Sequence, residues 1–88
     1  MVRRRVVVHG RVQGVGFRMF VVSRARTRDV RGWVRNCADG TVEAVFEGED
    51  EAVSALVRLC EEGPRGAEVD SIDVVGEPAE GLVGFELR

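Results

Sequence analysis

The chain has 88 residues, of which 44% are hydrophobic and 32% are charged, with a formal net charge of −2. This balance is typical of one small globular domain, which we expect to span residues 1–88. The two cysteines, Cys37 and Cys60, lack paired spacings, which excludes a disulfide framework and a zinc site and indicates free thiols in a reducing compartment. No segment is long and apolar enough to span a membrane, so we expect a cytoplasmic protein.

The charge is divided unevenly along the chain. Residues 1–35 hold ten arginines and one acidic residue, whereas residues 36–88 hold three arginines and 14 acidic residues. The basic half could attract an anionic ligand or a nucleic acid. A more ordinary interpretation is that the two halves complement each other on the folded surface.

The first half of the chain predicts a strand, a loop and a helix. Val6, Val8, Gly10 and Val12 alternate within a strand over residues 3–12. Residues 13–17 follow as a loop. Helical spacing of Phe17, Val21, Ala25 and Arg28 then predicts a helix over residues 18–29.

The second half predicts a hairpin, a helix and a closing sheet segment. Strands over residues 32–38 and 41–47 flank Asp39-Gly40, a type I′ hairpin signal, and Phe46 belongs to the apolar face of the second strand. A second helix begins at the capping residue Asp50 and ends at Gly63-Pro64, and it carries Cys60 on its apolar stripe. Glu47, Glu49, Asp50 and Glu51 cluster near its start, where acidic groups favour the helix dipole. Further strands are predicted over residues 67–76 and 83–87.

The resulting order, β-α-β-β-α-β with a short tail strand, indicates an α+β fold of the ferredoxin-like type. The sheet should be mostly antiparallel, with two right-handed crossovers that place both helices on one face. This arrangement hosts many functions, so the fold alone does not identify one.

The loop over Gln13, Gly14, Val15, Gly16 and Phe17 is the main candidate site, together with Arg18. Its two glycines leave backbone N–H groups uncovered, and successive exposed N–H groups form a concave anion site. The start of the helix adds further donors, and Arg18 adds a flat guanidinium suited to phosphate. The alternative is an ordinary glycine-containing turn beside an exposed arginine.

Asn36 should lie at the same sheet edge as this loop, because the first two strands run parallel in this topology. Its amide could hold a water molecule over a ligand bound to Arg18. The alternative is a turn residue near the hairpin. The motifs of other site types are absent. The glycine loop has no Walker A lysine and no dinucleotide-binding fingerprint, no residues have metal-ligand spacing, and His9 is the only histidine. Few aromatic residues are available on the strands, which argues against RNA binding.

Two blocks of sequence together resemble the acylphosphatase family. They are residues 10–18 (GRVQGVGFR) and residues 32–43, which contain GWVRN and DGTVE. The resemblance extends over essentially the whole chain. It implies a ferredoxin-like fold and hydrolysis of the carboxyl–phosphate bond of acyl phosphates without metal or cofactor. It also implies that Arg18 and the backbone of residues 13–18 bind phosphate, and that Asn36 positions the attacking water.

The chain departs from the family pattern between the first helix and the second strand. Family members commonly have Leu-Gly-Leu where this chain has Arg28-Asp29-Val30, which removes a favoured glycine cap. We expect a monomer that acts on a small acyl phosphate, with no nucleic acid or membrane partner. The alternatives are a non-catalytic phosphate-binding regulatory module of the same fold and a domain of larger carbamoyl-transferring maturation proteins. The short chain favours a stand-alone enzyme over the second of these.

Overall fold

The computed structural model describes residues 1–88 and contains seven helices and strands. In chain order they are β1 (Val2–Arg11), α1 (Phe17–Thr27), β2 (Arg31–Asn36), β3 (Val42–Gly48), α2 (Asp50–Glu62), β4 (Glu68–Glu77) and β5 (Phe85–Leu87). The strands form one sheet in the order β4-β1-β3-β2-β5, in which only the β2–β5 pair is parallel. The predicted ferredoxin-like α+β arrangement is confirmed, and none of the helices has the length and apolarity needed to cross a bilayer.

The core lies between the sheet and the two helices. Val6 pairs with Ala44, which also pairs with Val34, so these buried residues share one face of the sheet. Side chains of both helices, including Phe17 of α1 and Leu56 of α2, belong to the same buried cluster. The alternation predicted for β1 is confirmed at Val6 and Val8, but a register shift between His9 and Gly10 interrupts it and leaves Gly10 exposed. Both helices cover the same face of the sheet.

The end of α1 differs from its prediction. The helix ends at Thr27, and Asp29 adopts a left-handed φ of 54°, the conformation that a glycine would take without strain. The N–H of Val30 donates to the carbonyl of Ala25 at 3.0 Å, and this bond closes the helix in the usual way despite the missing glycine. Arg28, predicted on the apolar stripe, is exposed; buried Val30 fills the core beyond the turn instead.

Two local predictions in the second half are wrong. A type I′ turn needs a positive φ at both Asp39 and Gly40, and only Gly40 has one. The hairpin instead has a three-residue loop, Ala38 to Gly40, which is closed by the hydrogen bond from the Cys37 N–H to the Thr41 carbonyl oxygen. Asp50 does not cap α2, because it is the first residue of the helix and the cap position belongs to Glu49; the Asp50 carboxylate accepts instead from the Ser54 hydroxyl at 3.2 Å. The predicted stop at Gly63 and the burial of Cys60 are confirmed.

The face of the sheet opposite the helices carries a network of ion pairs. Arg3 and Arg5 of β1 both bind Glu77 of β4, and Arg5 also binds Glu43 of β3. These pairs join the basic first half of the chain to the acidic second half, as the complementary-surface interpretation predicts. Glu47 lies in β3, as the predicted strand over residues 41–47 requires. It does not belong with the acidic start of α2, because it is fully buried and pairs with Arg3 at 2.8 Å.

Candidate functional site

The connection between β1 and α1 is shaped by two glycines with left-handed backbone. Gly14 and Gly16 each have a φ of 76°, and no atom lies within 4 Å of the position that a Cβ would occupy on either one. They are therefore required by backbone conformation and not by crowding. No carbonyl or side chain of the protein accepts the N–H groups of Gly14, Val15 or Gly16, so these donors remain available to a ligand.

The first turn of α1 continues this row of donors. The first hydrogen bond of the helix runs from the N–H of Phe20 to the carbonyl of Gly16 at 3.0 Å, so the N–H groups of Phe17 and Arg18 have no helical acceptor. The first turn contains no acidic residue and its cap makes no side-chain hydrogen bond. Partial positive charge at the helix start is therefore not compensated by the protein. We call the backbone of residues 13–18 the cradle.

Arg18 is the positively charged side chain of the cradle. No side-chain carboxylate pairs with it, and its one hydrogen bond runs from Nη1 to the main-chain oxygen of Arg88 at 2.8 Å. That contact orients the guanidinium from the end of the sheet beyond β5 and uses one of its five N–H donors. The other donors are free to bind an oxyanion in the forked geometry that arginine favours.

Asn36 lies beside the cradle, as its predicted position requires. It is the last residue of β2, and strand alternation places it on the same sheet face as buried Val34. Its amide is exposed and makes no hydrogen bond within the protein. Asn36 and Arg18 line the same cavity, whose walls consist of Val12, Gly14, Gly16, Phe17, Arg18, Met19, Asn36 and Leu87.

The remaining residues of the predicted cradle take part in different ways. Phe17 is 2% exposed, so only its backbone can reach a ligand, and half-buried Val15 packs against the core. The side chain of Gln13 does not line the cavity but reaches the β2–β3 hairpin, where its amide donates to two carbonyl oxygens. Sequence reasoning missed this side-chain role and also missed the apolar rim formed by Met19 and Leu87. The helical and strand patterns of those two residues gave no sign that they would meet at one cavity.

The cavity is small, about 130 Å³. Pockets for drug-sized ligands usually measure about 300 to 1,000 Å³, so a cavity of this size suits a small group such as a phosphoryl group better than a large organic ligand. A larger cavity of about 430 Å³ lies at the other end of α1 and mixes arginines with acidic residues, including Arg31 and Asp29, which pair at 3.7 Å. It contains none of the predicted site residues, so the smaller cavity is the better candidate.

Other titratable groups stay outside this cavity. His9 lies on the surface, and its Nε2 is 2.8 Å from the carboxylate of Asp73. Burial raises the pKa of the Cys60 thiol to about 12, which suits a core residue and not a nucleophile. Nowhere do three histidine, cysteine or carboxylate side chains converge in the way a metal ion requires.

Comparison with known proteins gives a consistent result. The family model described as acylphosphatase matches residues 4–87. An acylphosphatase of Rubrobacter xylanophilus is 58% identical over 98% of this chain and 79% of its own length, and one of a Synechococcus strain is 52% identical over 99% and 93%. The crystal structure of acylphosphatase from Bacillus subtilis superimposes with a TM-score of 0.96 at 39% identity, covering 100% of this chain and 99% of that one. The chain therefore belongs to the acylphosphatase family of hydrolases.

Proposed function

We propose that the protein hydrolyses the carboxyl–phosphate bond of acyl phosphates, with the phosphoryl group held by the cradle and by Arg18. Phosphoryl transfer needs positioning and charge stabilisation more than covalent help from the protein. The donors of Gly14 to Arg18 and the guanidinium together could contact the phosphoryl oxygens. Their charge is available because no acidic side chain lines the cavity or pairs with Arg18.

Asn36 is proposed to hold the attacking water in line with the leaving group. Its amide oxygen can accept a hydrogen bond from the water while its N–H donors contact the phosphoryl oxygens. The water oxygen bonds to phosphorus, and the bond between phosphorus and the acyl oxygen breaks. The bonding electrons leave with the acyl oxygen, which yields a carboxylate and inorganic phosphate. Fixing the water recovers orientation entropy that is otherwise lost in the transition state.

The proton of the water requires an acceptor other than a side chain. The cavity walls contain no histidine and no carboxylate, so no side chain is in reach to act as a general base. We therefore assign this role to a phosphoryl oxygen of the substrate itself. Because a carboxylate is a good leaving group, the reaction needs no general acid.

The observation that carries the proposal is that Arg18 and Asn36, 18 positions apart in the sequence, line one small cavity with Gly14 and Gly16. The test is hydrolysis of benzoyl phosphate in the presence of EDTA by the wild type and by Asn36→Ala. We expect turnover by the wild type and a kcat about 10²-fold lower in the variant, by analogy with the loss of one transition-state donor. The inhibition constant of inorganic phosphate should change little.

Other outcomes would separate the alternatives. An Asn36→Ala variant with a raised KM and an unchanged kcat would contradict the water-positioning role. A folded wild type that binds phosphate without hydrolysing benzoyl phosphate would indicate a regulatory phosphate-binding module. Steep loss of RNA affinity with salt would instead support a nucleic-acid partner.

The same proposal includes a monomeric enzyme in the cytoplasm. Every residue assigned to the site comes from one chain, and both Cys37 and Cys60 are free thiols. A molar mass near 9.7 kDa from light scattering would support the monomer, and twice that value would contradict it.

A further inference from the structure

The side chain of Gln13 joins two parts of the site that the sheet does not connect. Its Nε2 donates to the carbonyl oxygen of Cys37 at 2.8 Å and to that of Thr41 at 3.0 Å. Carbonyl oxygens only accept hydrogen bonds, so the NH₂ end of the amide must face them, and both of its protons are used. Cys37 and Thr41 flank the hairpin loop and are bonded to each other through Cys37 N–H and Thr41 O at 2.8 Å.

The hydrogen bonds from Gln13 to Cys37 and Thr41, which we call the bridge, connect the cradle to the strand end that carries Asn36. Gln13 directly precedes Gly14 of the cradle, and Cys37 directly follows Asn36. The last residue pair between β1 and β3 is Val8 with Val42. From Gly10 to its end, β1 pairs only with β4, on the side away from the hairpin. The bonds from Gln13 therefore span a gap that backbone pairing leaves open.

We propose that Gln13 is a positioning residue that sets the separation between the cradle and Asn36, a role that rests on the proposed function. The amide makes both of its hydrogen bonds to main-chain oxygens and does not line the cavity. The cradle keeps its shape without it, because the left-handed glycines and the start of α1 are local features. The position of the water relative to phosphorus, in contrast, depends on how the hairpin sits against the loop.

Such a role predicts a specific kinetic signature. A displacement of about 1 Å of a catalytic group can cost about 10²-fold in rate. Losing the bridge should therefore lower kcat and leave phosphate affinity nearly unchanged, since Arg18 and the cradle donors stay in place. The effect should also depend on Asn36, because Gln13 acts through it.

Gln13→Met is the informative substitution, because methionine keeps the length of the side chain and removes both donors. With benzoyl phosphate we expect its kcat to fall about 10- to 100-fold, with the inhibition constant of inorganic phosphate within about twofold of wild type. The side-chain amide resonance of Asn36 should shift in its NMR spectrum. In an Asn36→Ala background, assayed at high enzyme concentration, Gln13→Met should change kcat by less than about twofold.

Asp39→Ala is the matched control. The Asp39 carboxylate accepts from the N–H of Thr41 at 3.0 Å and from its hydroxyl at 2.7 Å, so this change removes two hydrogen bonds within the hairpin and leaves both acceptors of the Gln13 amide in place. We expect it to lower the urea midpoint of unfolding and to leave kcat close to wild type.

Three results would overturn the positioning role. They are an unchanged kcat in Gln13→Met, an equal loss of kcat in Asp39→Ala, and the same fold-change of Gln13→Met with and without Asn36. An inactive wild type would instead remove the proposed function, and the role of Gln13 with it.

Discussion

Two loops of this protein present rows of backbone N–H groups, and they differ in what accepts those hydrogen bonds. In the segment between β4 and β5, the N–H groups of Glu80, Gly81 and Leu82 donate to the buried carboxylate of Glu47 at 2.8 to 3.0 Å. In the cradle, the N–H groups of residues 14–16 find no acceptor within the protein. In the loop of residues 80–82, which we call the filled loop, the protein supplies the anion, and the N–H groups stabilise the fold. In the cradle, which we call the open loop, no such anion is present, and the N–H groups are available to a ligand.

The electrostatic consequences follow from burial. Burial alone would raise the pKa of Glu47, but the backbone donors and the Arg3 guanidinium outweigh it and lower the pKa to about 2. Glu47 therefore remains charged at neutral pH and anchors the segment that leads to β5. Arg88 directly follows that strand, and its main-chain oxygen orients Arg18. The hydrogen bonds to Glu47 in the filled loop therefore help to position Arg18 in the open loop, because they fix the segment that leads to β5 and Arg88.

The largest predicted effect comes from removing the charge of the open loop. Arg18→Ala should lower kcat/KM for benzoyl phosphate by about 10³-fold or more, since phosphoryl-stabilising arginines contribute on this scale. Arg24→Ala is the matched control, because Arg24 lies in the same helix, stacks at 4.7 Å on Phe20 and does not line the cavity. Equal losses in the two variants would mean that general positive charge, and not the cradle, carries the activity.

Removing the anion of the filled loop should act on stability instead. Glu47→Gln leaves Arg3 and the N–H donors with a poorer acceptor, and breaking a buried pair of this kind costs about 3 kcal/mol. Urea unfolding at pH 7 would measure the loss, with exposed Glu86→Gln as the control expected to change stability by less than about 0.5 kcal/mol. A Glu47→Gln variant as stable as the wild type would contradict the anchoring role.

Acid should reproduce part of this effect in the wild type. Because the folded pKa of Glu47 is depressed from 4.5 to about 2, its contribution is fully present above pH 4.5 and is lost as pH falls toward 2. The shift corresponds to about 3 kcal/mol. Unfolding free energies measured between pH 7 and pH 2.5 should fall more steeply for the wild type than for Glu47→Gln, and parallel curves would contradict this assignment.

The smallest predicted difference compares one glycine from each loop. Gly14 and Gly81 have φ values of 76° and 79°, and neither has an atom within 4 Å of a Cβ position. Alanine at either site should cost about 1 to 2 kcal/mol of stability through left-handed backbone strain. Only Gly14→Ala should also weaken inhibition by inorganic phosphate. Similar inhibition constants in both variants would show that the cradle does not depend on its glycine conformation.

The parts of this architecture that sequence predicted rest on local patterns. Alternating valines define the buried face of β1, the apolar spacing from Val53 to Cys60 defines α2, and the glycines at 14 and 16 mark the cradle. The parts that it missed depend on distant partners. Nothing near Glu47 in the sequence indicates that it will be buried by residues 80–82, more than thirty positions later. The bridge from Gln13 to the hairpin likewise exists only once the loop and the hairpin meet in space.

A phosphate titration followed by amide NMR would test the contrast between the two loops most directly. On adding inorganic phosphate to the wild type, the N–H resonances of Gly14 through Arg18 should shift and saturate together, while those of Glu80, Gly81 and Leu82 stay in place. Arg18→Ala should weaken the response without moving it to other residues. A titration that left the cradle resonances unchanged, or that shifted both loops alike, would contradict the account.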